Sequence, residues 1–91
     1  LYPRDMEEVL YEHPKVIDAA VVGVPGADGA TEIRAFVVLR PGERVSEAEV
    51  LAFLRDRLNV PVAPTTVEFR TALPRSAIGK LLRRKLVEGG G

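Results

Sequence analysis

Residues 73–85 read Leu-Pro-Arg-Ser-Ala-Ile-Gly-Lys-Leu-Leu-Arg-Arg-Lys, and Lys80 is the side chain in this chain best suited to chemistry. It follows Gly79, whose freedom lets the next residue reach outward, and it precedes a run with helical spacing. A lysine ammonium is a compact point charge that can offset negative charge as it develops. At the mouth of a helix it would be joined by free N–H groups and the positive end of the dipole, a place for a carboxylate or a phosphate. The same residues also fit an ordinary helix start with basic residues on a solvated face. Gly79-Lys80 is not a Walker A site. That motif needs a glycine where Pro74 stands and Ser or Thr where Leu81 stands.

Other catalytic classes are excluded by composition. The 91 residues contain no cysteine and one histidine, so a thiol nucleophile, a Cys-based zinc site and a multi-histidine metal site are all ruled out. Lys plus Arg and Asp plus Glu balance at 13 each, which argues against a general polyanion binder. No apolar run approaches the roughly 20 residues that span a bilayer, and no signal-peptide layout is present. With 46% hydrophobic and 29% charged residues the chain reads as one soluble globular domain over residues 1–91, expected in the cytoplasm. Its opening on Leu1 rather than Met suggests excision from a longer protein.

The elements that must position Lys80 follow from periodicity. Pro3 suits a first helical turn, and Met6, Val9, Leu10 and His13 recur at helical spacing before Pro14. His13 is read as a helix-end residue that complements the dipole when protonated. Val16 to Val24 is a β-branched run closed by Pro25-Gly26, and residues 25–32 form a loop. Ile33 to Leu39 is a strand buried on both faces, and Arg40-Pro41-Gly42-Glu43 is a turn. Ser46 and Glu49 make a capping box ahead of the stripe Val50, Leu51, Leu54 and Leu58. Pro61 and Pro64 break the chain; Val67 and Phe69 then alternate with Glu68 and Arg70 as a strand with one wet face. Ile78, Leu82 and Leu86 fall on one side of a third helix that ends in Gly89-Gly90-Gly91. The order αββαβα implies an α+β fold, a small three-stranded sheet packed with helices. Met6, Phe36, Phe53 and Phe69 are read as core.

Pro74-Arg75-Ser76-Ala77-Ile78-Gly79-Lys80-Leu81-Leu82-Arg83-Arg84 resembles the last core motif of the adenylate-forming superfamily, which includes acyl-CoA synthetases, peptide-synthetase adenylation domains and luciferases. Leu1-Tyr2-Pro3 with Met6-Glu7-Glu8-Val9-Leu10 resembles the segment after that family's hinge. His13-Pro14-Lys15-Val16 and Ala19 to Pro25 are similar to its first strand and glycine loop, and Ala35 to Leu39 to its second strand. The resemblance implies the C-terminal lid domain of an AMP-forming acyl-CoA synthetase, without its large N-terminal domain.

It also implies roles. Lys80 matches the lysine that bridges the substrate carboxylate and the nucleotide during adenylation. Val22, Gly23 and Val24 match the loop beside the pantetheine of coenzyme A after the lid rotates, and Gly79 matches the glycine before the lysine. Gly23 has a reading of its own, since a residue without Cβ lets another chain approach closely; it could equally just end a strand before a turn. Arg83, Arg84 and Lys85 could meet the phosphates of coenzyme A or an acidic carrier protein, or form a solvated helix face. ATP, Mg2+ and coenzyme A are the implied cofactors, bound mainly by the large domain, and the isolated fragment is expected to be inactive. No metal site and no nucleic-acid partner are expected in this chain. Pro74 and Gly79-Lys80 also fit a Pro-x4-Gly-Lys pattern that lysine acetyltransferases recognise in similar synthetases.

The chain departs from the family at Ala30-Thr31, where a Gly-Glu pair is usual, and at Val62-Ala63-Pro64, where a Lys-Val-Pro is usual. Two other readings remain open at this point: a peptide-synthetase lid that uses a carrier-protein thiol, and a free-standing α+β or RNA-binding module. The second is disfavoured by zero net charge and by aromatic residues placed as core.

Overall fold

The computed structural model describes residues 3–59 and 64–89. The elements are α1 (Pro3–Tyr11), β1 (Val16–Pro25), β2 (Thr31–Leu39), α2 (Glu47–Leu58), β3 (Pro64–Arg70) and α3 (Arg83–Gly89). The sheet order is β1-β2-β3, with β1 and β2 antiparallel and β2 and β3 parallel. A parallel neighbour needs a crossover, and α2 supplies it. This is the α+β sandwich in the αββαβα order that the periodicity implies.

Period-two alternation splits the apolar runs of β1 and β2 between two cores. Ala19 and Val21 of β1 and Ala35 and Val37 of β2 meet Met6, Val9 and Leu10 of α1 and Val50 and Leu54 of α2. Ala20, Val22 and Val24 face the other way with Phe36 and Val38, against Leu73 and Leu86. The central strand is therefore buried on both faces, as its unbroken apolar run requires.

Helix α2 begins as its sequence dictates. Ser46 Oγ accepts from the Glu49 N–H at 3.1 Å and donates to the Glu49 carboxylate at 3.3 Å. Glu47 and Glu49 lie in the first turn and Arg55 and Arg57 in the last, which complements the dipole. Asn59 takes the left-handed conformation (φ 55°) and its N–H bonds Arg55 O, a C-cap suited to asparagine. The loop between β1 and β2 is shorter than the sequence implies, since Pro25 and Thr31 already pair. Thr31 and Glu32, at the departure from the family pattern, are strand residues, and Glu32 accepts from Arg34 and Thr66. The other departure, Val62-Ala63, lies outside the described residues.

Two expectations are corrected. The third helix does not include Ile78 or Leu82: it starts at Arg83, and Ile78 is 89% exposed. Gly79 has φ +85°, which no continuing right-handed helix allows, so the 78/82/86 spacing is not that of a helix face. Phe69 is not core but 39% exposed, at the end of β3. Its neighbour Arg70 lies over the Phe36 ring at 4.9 Å, so the face read as wet is the more covered one there. His13 sits beyond the end of α1, where its Nδ1 accepts the Lys15 N–H (3.1 Å) and its ring meets Phe53 edge-on at 4.7 Å. Its own backbone N–H bonds Leu10 O at 3.0 Å, so it closes the helix end as the sequence implies. Among the described residues no helix is long and apolar enough to cross a membrane.

Candidate functional site

Lys80 is carried by a small hairpin rather than by a helix mouth. Arg75 and Leu81 form an antiparallel bridge. Leu82 N donates to Pro74 O and Ser76 N to Lys80 O, each at 2.9 Å. Gly79 N closes the tip on Ser76 O at 2.9 Å, and Lys80 N donates to Ser76 Oγ at 3.2 Å. Helix α3 begins only after this hairpin and has seven residues, so the helix-dipole argument for an anion at Lys80 does not stand. What the hairpin offers is an exposed lysine on a backbone closed by its own hydrogen bonds.

Arg75 ties that hairpin to the sheet. Its Nη2 and Nε donate to the two oxygens of Asp18 at 2.6 and 3.1 Å, and its Nη1 donates to Gly79 O at 2.8 Å. Tyr11 of α1 donates its hydroxyl to Asp18 Oδ1 at 2.6 Å. Burial works to raise the Asp18 pKa, but the hydrogen bonds from Arg75 and Tyr11 outweigh it and hold the carboxyl below its ordinary value. The Tyr11 hydroxyl is pushed up, by burial first and by the adjacent carboxylate second.

A second feature lies on the free edge of β1. Gly26 N bonds Ala30 O across the hairpin, which fixes the alternation of the antiparallel ladder. Ala19, Val21, Gly23 and Pro25 then turn their backbone groups away from β2, and Pro25, with no N–H, falls where none is needed. Val21 N donates to Glu7 Oε2 at 2.7 Å, and Val21 O accepts from Arg83 Nη1 at 3.3 Å. Arg83 also pairs with both oxygens of Glu7. Beside this closed ring, Pro3, Arg4, Val21, Val22, Gly23 and Val87 line an open groove of about 410 Å³. A Cβ on Gly23 would stand 3.1 Å from Thr31 Cγ2, so the strand leaves little room at that point.

The predicted residues thus separate into two places. Gly79 and Lys80 belong to the Arg75 hairpin, and Gly23 borders the groove. Val22 and Val24 are buried in the second core, Val22 also reaching the groove wall. Arg83 does not stand with Arg84 and Lys85 as one basic cluster: its guanidinium is taken by Glu7, while Arg84 and Lys85 are exposed on α3. Asp18, the anchor of the lysine hairpin, and Gly23 stand five positions apart on β1, about 17 Å at the rise of a strand.

The residues that hold both places were missed in the sequence: Tyr11, Asp18, Glu7 and the anchoring role of Arg75. A signal was present. Glu7 borders the apolar arc of Met6, Val9 and Leu10, and Asp18 interrupts the apolar run of β1; a charge in such a position needs a partner.

With a three-stranded mixed sheet, a lysine hairpin at one end of β1 and a glycine-bordered groove at the other, the domain has the architecture of an adenylate-forming enzyme's small domain. The chain belongs to the AMP-binding enzyme C-terminal domain family, whose model matches residues 5–80. It is 44% identical over 88 residues to a long-chain-fatty-acid–CoA ligase of Bacillus subtilis, covering 97% of this chain and 16% of that protein. A benzoate CoA ligase from Burkholderia xenovorans has the same fold with a TM-score of 0.86 and 42% identity, over 94% of this chain and 18% of that one. ATP-bound MatB from Rhodopseudomonas palustris superposes with a TM-score of 0.86 at 35% identity, over 97% of this chain and 18% of that one. The chain therefore spans about a sixth of the length of the relatives it matches, and CoA ligases are prominent among them.

Proposed function

We propose that this chain is the mobile lid of an ATP-dependent, AMP-forming acid–CoA ligase, with Lys80 serving the first half-reaction and the Gly23 edge the second. The observation that carries this reading is the separation of the two features along β1. With the two features so placed, one small domain need not bring both to the reaction centre at once. It can present them in turn if it rotates against a large N-terminal domain.

In adenylation the substrate carboxylate attacks the α-phosphorus of ATP and pyrophosphate leaves. The Lys80 ammonium, exposed on its hairpin, is suited to bridge the carboxylate and the phosphate oxygens. It aligns the nucleophile and offsets the charge that builds as the bond forms. No proton has to pass through it. Magnesium would accompany the nucleotide in the large domain; among the described residues no three acidic or histidine side chains gather to hold a metal.

In thioester formation the thiol of coenzyme A attacks the acyl-adenylate and AMP leaves. The pantetheine arm carries amides, and the outward N–H and C=O of Gly23 offer it one more strand position to pair with. The groove beside Gly23 is apolar over much of its wall, which suits the arm's alkyl segments. We assign Val22 and Val24 to the support of that edge, and Arg84 to the phosphate end of coenzyme A. Choice of the carboxylic acid, whether fatty or aromatic, falls to the large domain. The 91 residues alone are expected to show no turnover with ATP, magnesium, coenzyme A and an acid.

The test uses the complete ligase and its Lys80→Ala variant, with the half-reactions measured apart. Adenylation is followed by pyrophosphate release, thioester formation from preformed acyl-adenylate. A loss of about 10²-fold or more confined to adenylation supports the reading; equal rates in wild type and variant sink it.

The exposed hairpin also makes Lys80 accessible to a lysine acetyltransferase, and acetylation would remove the charge that adenylation uses. Mass spectrometry of protein treated with an acetyl donor and the transferase should find Lys80 modified and adenylation lost in proportion. Full adenylation in a protein acetylated at Lys80 would count against both roles.

A further inference from the structure

We infer that Tyr11, Asp18 and Arg75 form a positioning unit that aims Lys80 during adenylation, an inference that rests on the assignment of Lys80 above. The arms of the hairpin that carries Lys80 reach the second core through Leu73 and Leu81, but its tip does not. Its tip residues Ala77, Ile78 and Gly79 are exposed and bury no side chain in either core. Segments of that kind sit at the low end of local stability. The backbone ring keeps the hairpin's shape and Leu73 and Leu81 seat its base, but none of these contacts fixes where the tip points.

Arg75 supplies the direction. One face of its guanidinium fork grips both oxygens of Asp18 on β1, and the remaining Nη1 reaches Gly79 O at 2.8 Å. That oxygen belongs to the peptide whose nitrogen is Lys80's own. A single planar cation therefore spans the strand, the base of the hairpin and the peptide bond leading into Lys80. Lysine has no such geometry, because its ammonium is one point on a flexible stem.

Asp18 is held in turn. Its Oδ1 receives the Tyr11 hydroxyl at 2.6 Å, the Ala19 N–H at 3.0 Å and Arg75 Nη2 at 2.6 Å. Three donors on one oxygen, from α1, β1 and the hairpin, leave the carboxylate one rotamer. The Arg75 side chain is 36% exposed, so solvent screens part of the pair's attraction. An arrangement so tightly determined, ending on the peptide that leads into Lys80, fits an aiming role. A displacement of about 1 Å in a group that must bridge nucleophile and phosphate is enough to slow a reaction about 10²-fold.

The experiment uses the complete ligase with Arg75→Ala, Arg75→Lys, Asp18→Asn and Tyr11→Phe, with Lys80→Ala as reference. Two readouts are taken: the separate half-reactions, and amide hydrogen exchange of residues 76–81 by mass spectrometry. Arg75→Ala is expected to slow adenylation about 10²-fold, to leave thioester formation from preformed acyl-adenylate at the wild-type rate, and to speed exchange in the hairpin. Arg75→Lys should recover little, since charge alone is not what aims the lysine; Tyr11→Phe should show the same pattern to a smaller degree. Equal losses in both half-reactions would make the unit merely structural and overturn the proposal. So would wild-type adenylation and exchange in Arg75→Ala. If Lys80→Ala leaves adenylation intact, the catalytic assignment fails and the aiming role falls with it; exchange that still quickens in Arg75→Ala would then trace that failure to the function and not to the clip.

Discussion

Glu7 and Arg83 meet across the free edge of β1, 76 residues apart in sequence, with the backbone of Val21 enclosed between them. Val21 donates to Glu7 and accepts from Arg83, and the two side chains close the ring on each other. Edge strands expose unpaired backbone groups that invite pairing with other chains. Among the described residues the edge is blocked at Val21 and left open two residues on, at Gly23. The ring joins α1, β1 and α3, so it also fixes the walls of the groove in which Gly23 lies.

Removing Glu7 should therefore weaken the fold measurably. Its side chain is buried, and its loss leaves the Val21 N–H without an acceptor and Arg83 without a counter-charge. Glu7→Ala is expected to lower stability by about 2–3 kcal/mol, with a smaller loss in Glu7→Gln, which keeps an acceptor for Val21. Urea denaturation of the wild type and both variants gives the numbers. Equal stability in all three would mean that water replaces the ring without loss.

Asp18 sets an acid limit. Its carboxyl is held below its ordinary value in the folded state, although burial alone would raise it, because Arg75 and Tyr11 bond the charged form. A depressed folded pKa gives stability that is present above the unfolded value. That stability is lost as pH falls below about 4 and through the folded value. Asp18→Asn should remove this part of the pH dependence, so the stability gap between wild type and variant narrows on acidification from pH 7 to pH 3. Thermal melts across that range check it; a gap that widens toward low pH would show that the sign is wrong.

Ser46 provides a contrast, a residue of the fold with no part in either half-reaction. Its Oγ caps α2 by accepting from Glu49 N at 3.1 Å. Ser46→Ala should cost about 1 kcal/mol of stability and leave the ratio of adenylation to thioester formation unchanged. A shift in that ratio would mean that α2 takes part in lid orientation.

The elements were legible in the sequence where one pattern dominates. The stripe of α2 with its Ser46–Glu49 box, the apolar run of β2 and the β-branched run of β1 all appear where periodicity places them. The hairpin at Lys80 was not legible. Ile78, Leu82 and Leu86 mimic a helix face, and only the left-handed φ of Gly79 and the bridge between Arg75 and Leu81 reveal a different structure. Phe69 misled for a related reason: alternation gives a side chain's face but not whether the sheet's end is covered. The site was legible in part. Lys80 and Gly23 could be picked out by their match to the family's motifs, but their supports are contacts between residues as far apart as Asp18 and Arg75. A lone charge in an apolar run shows only that a partner exists, not which one.

Gly23 gives the sharpest test of the groove, because its substitution should separate folding from function. Its φ is not in the left-handed region, so alanine brings no backbone strain. The added Cβ would meet Thr31 Cγ2 at 3.1 Å, a contact relieved by a shift of a few tenths of an ångström in one methyl group. Against that, alanine restricts the unfolded chain and returns about 0.4–1 kcal/mol. Gly23→Ala should therefore keep its stability within about 1 kcal/mol of wild type. The groove is different, since a larger side chain at Gly23 takes up space that an arriving pantetheine arm would use. Thioester formation from preformed acyl-adenylate is expected to fall about tenfold in Gly23→Ala, roughly 1.4 kcal/mol on the barrier, and further in Gly23→Leu. Adenylation should hold, because Gly23 lies five strand positions from Asp18, where the Lys80 hairpin is anchored, about 17 Å along β1. If Gly23→Leu folds and forms thioester at the wild-type rate, the thiol reaches the adenylate by another route, and the groove has no part in the second half-reaction.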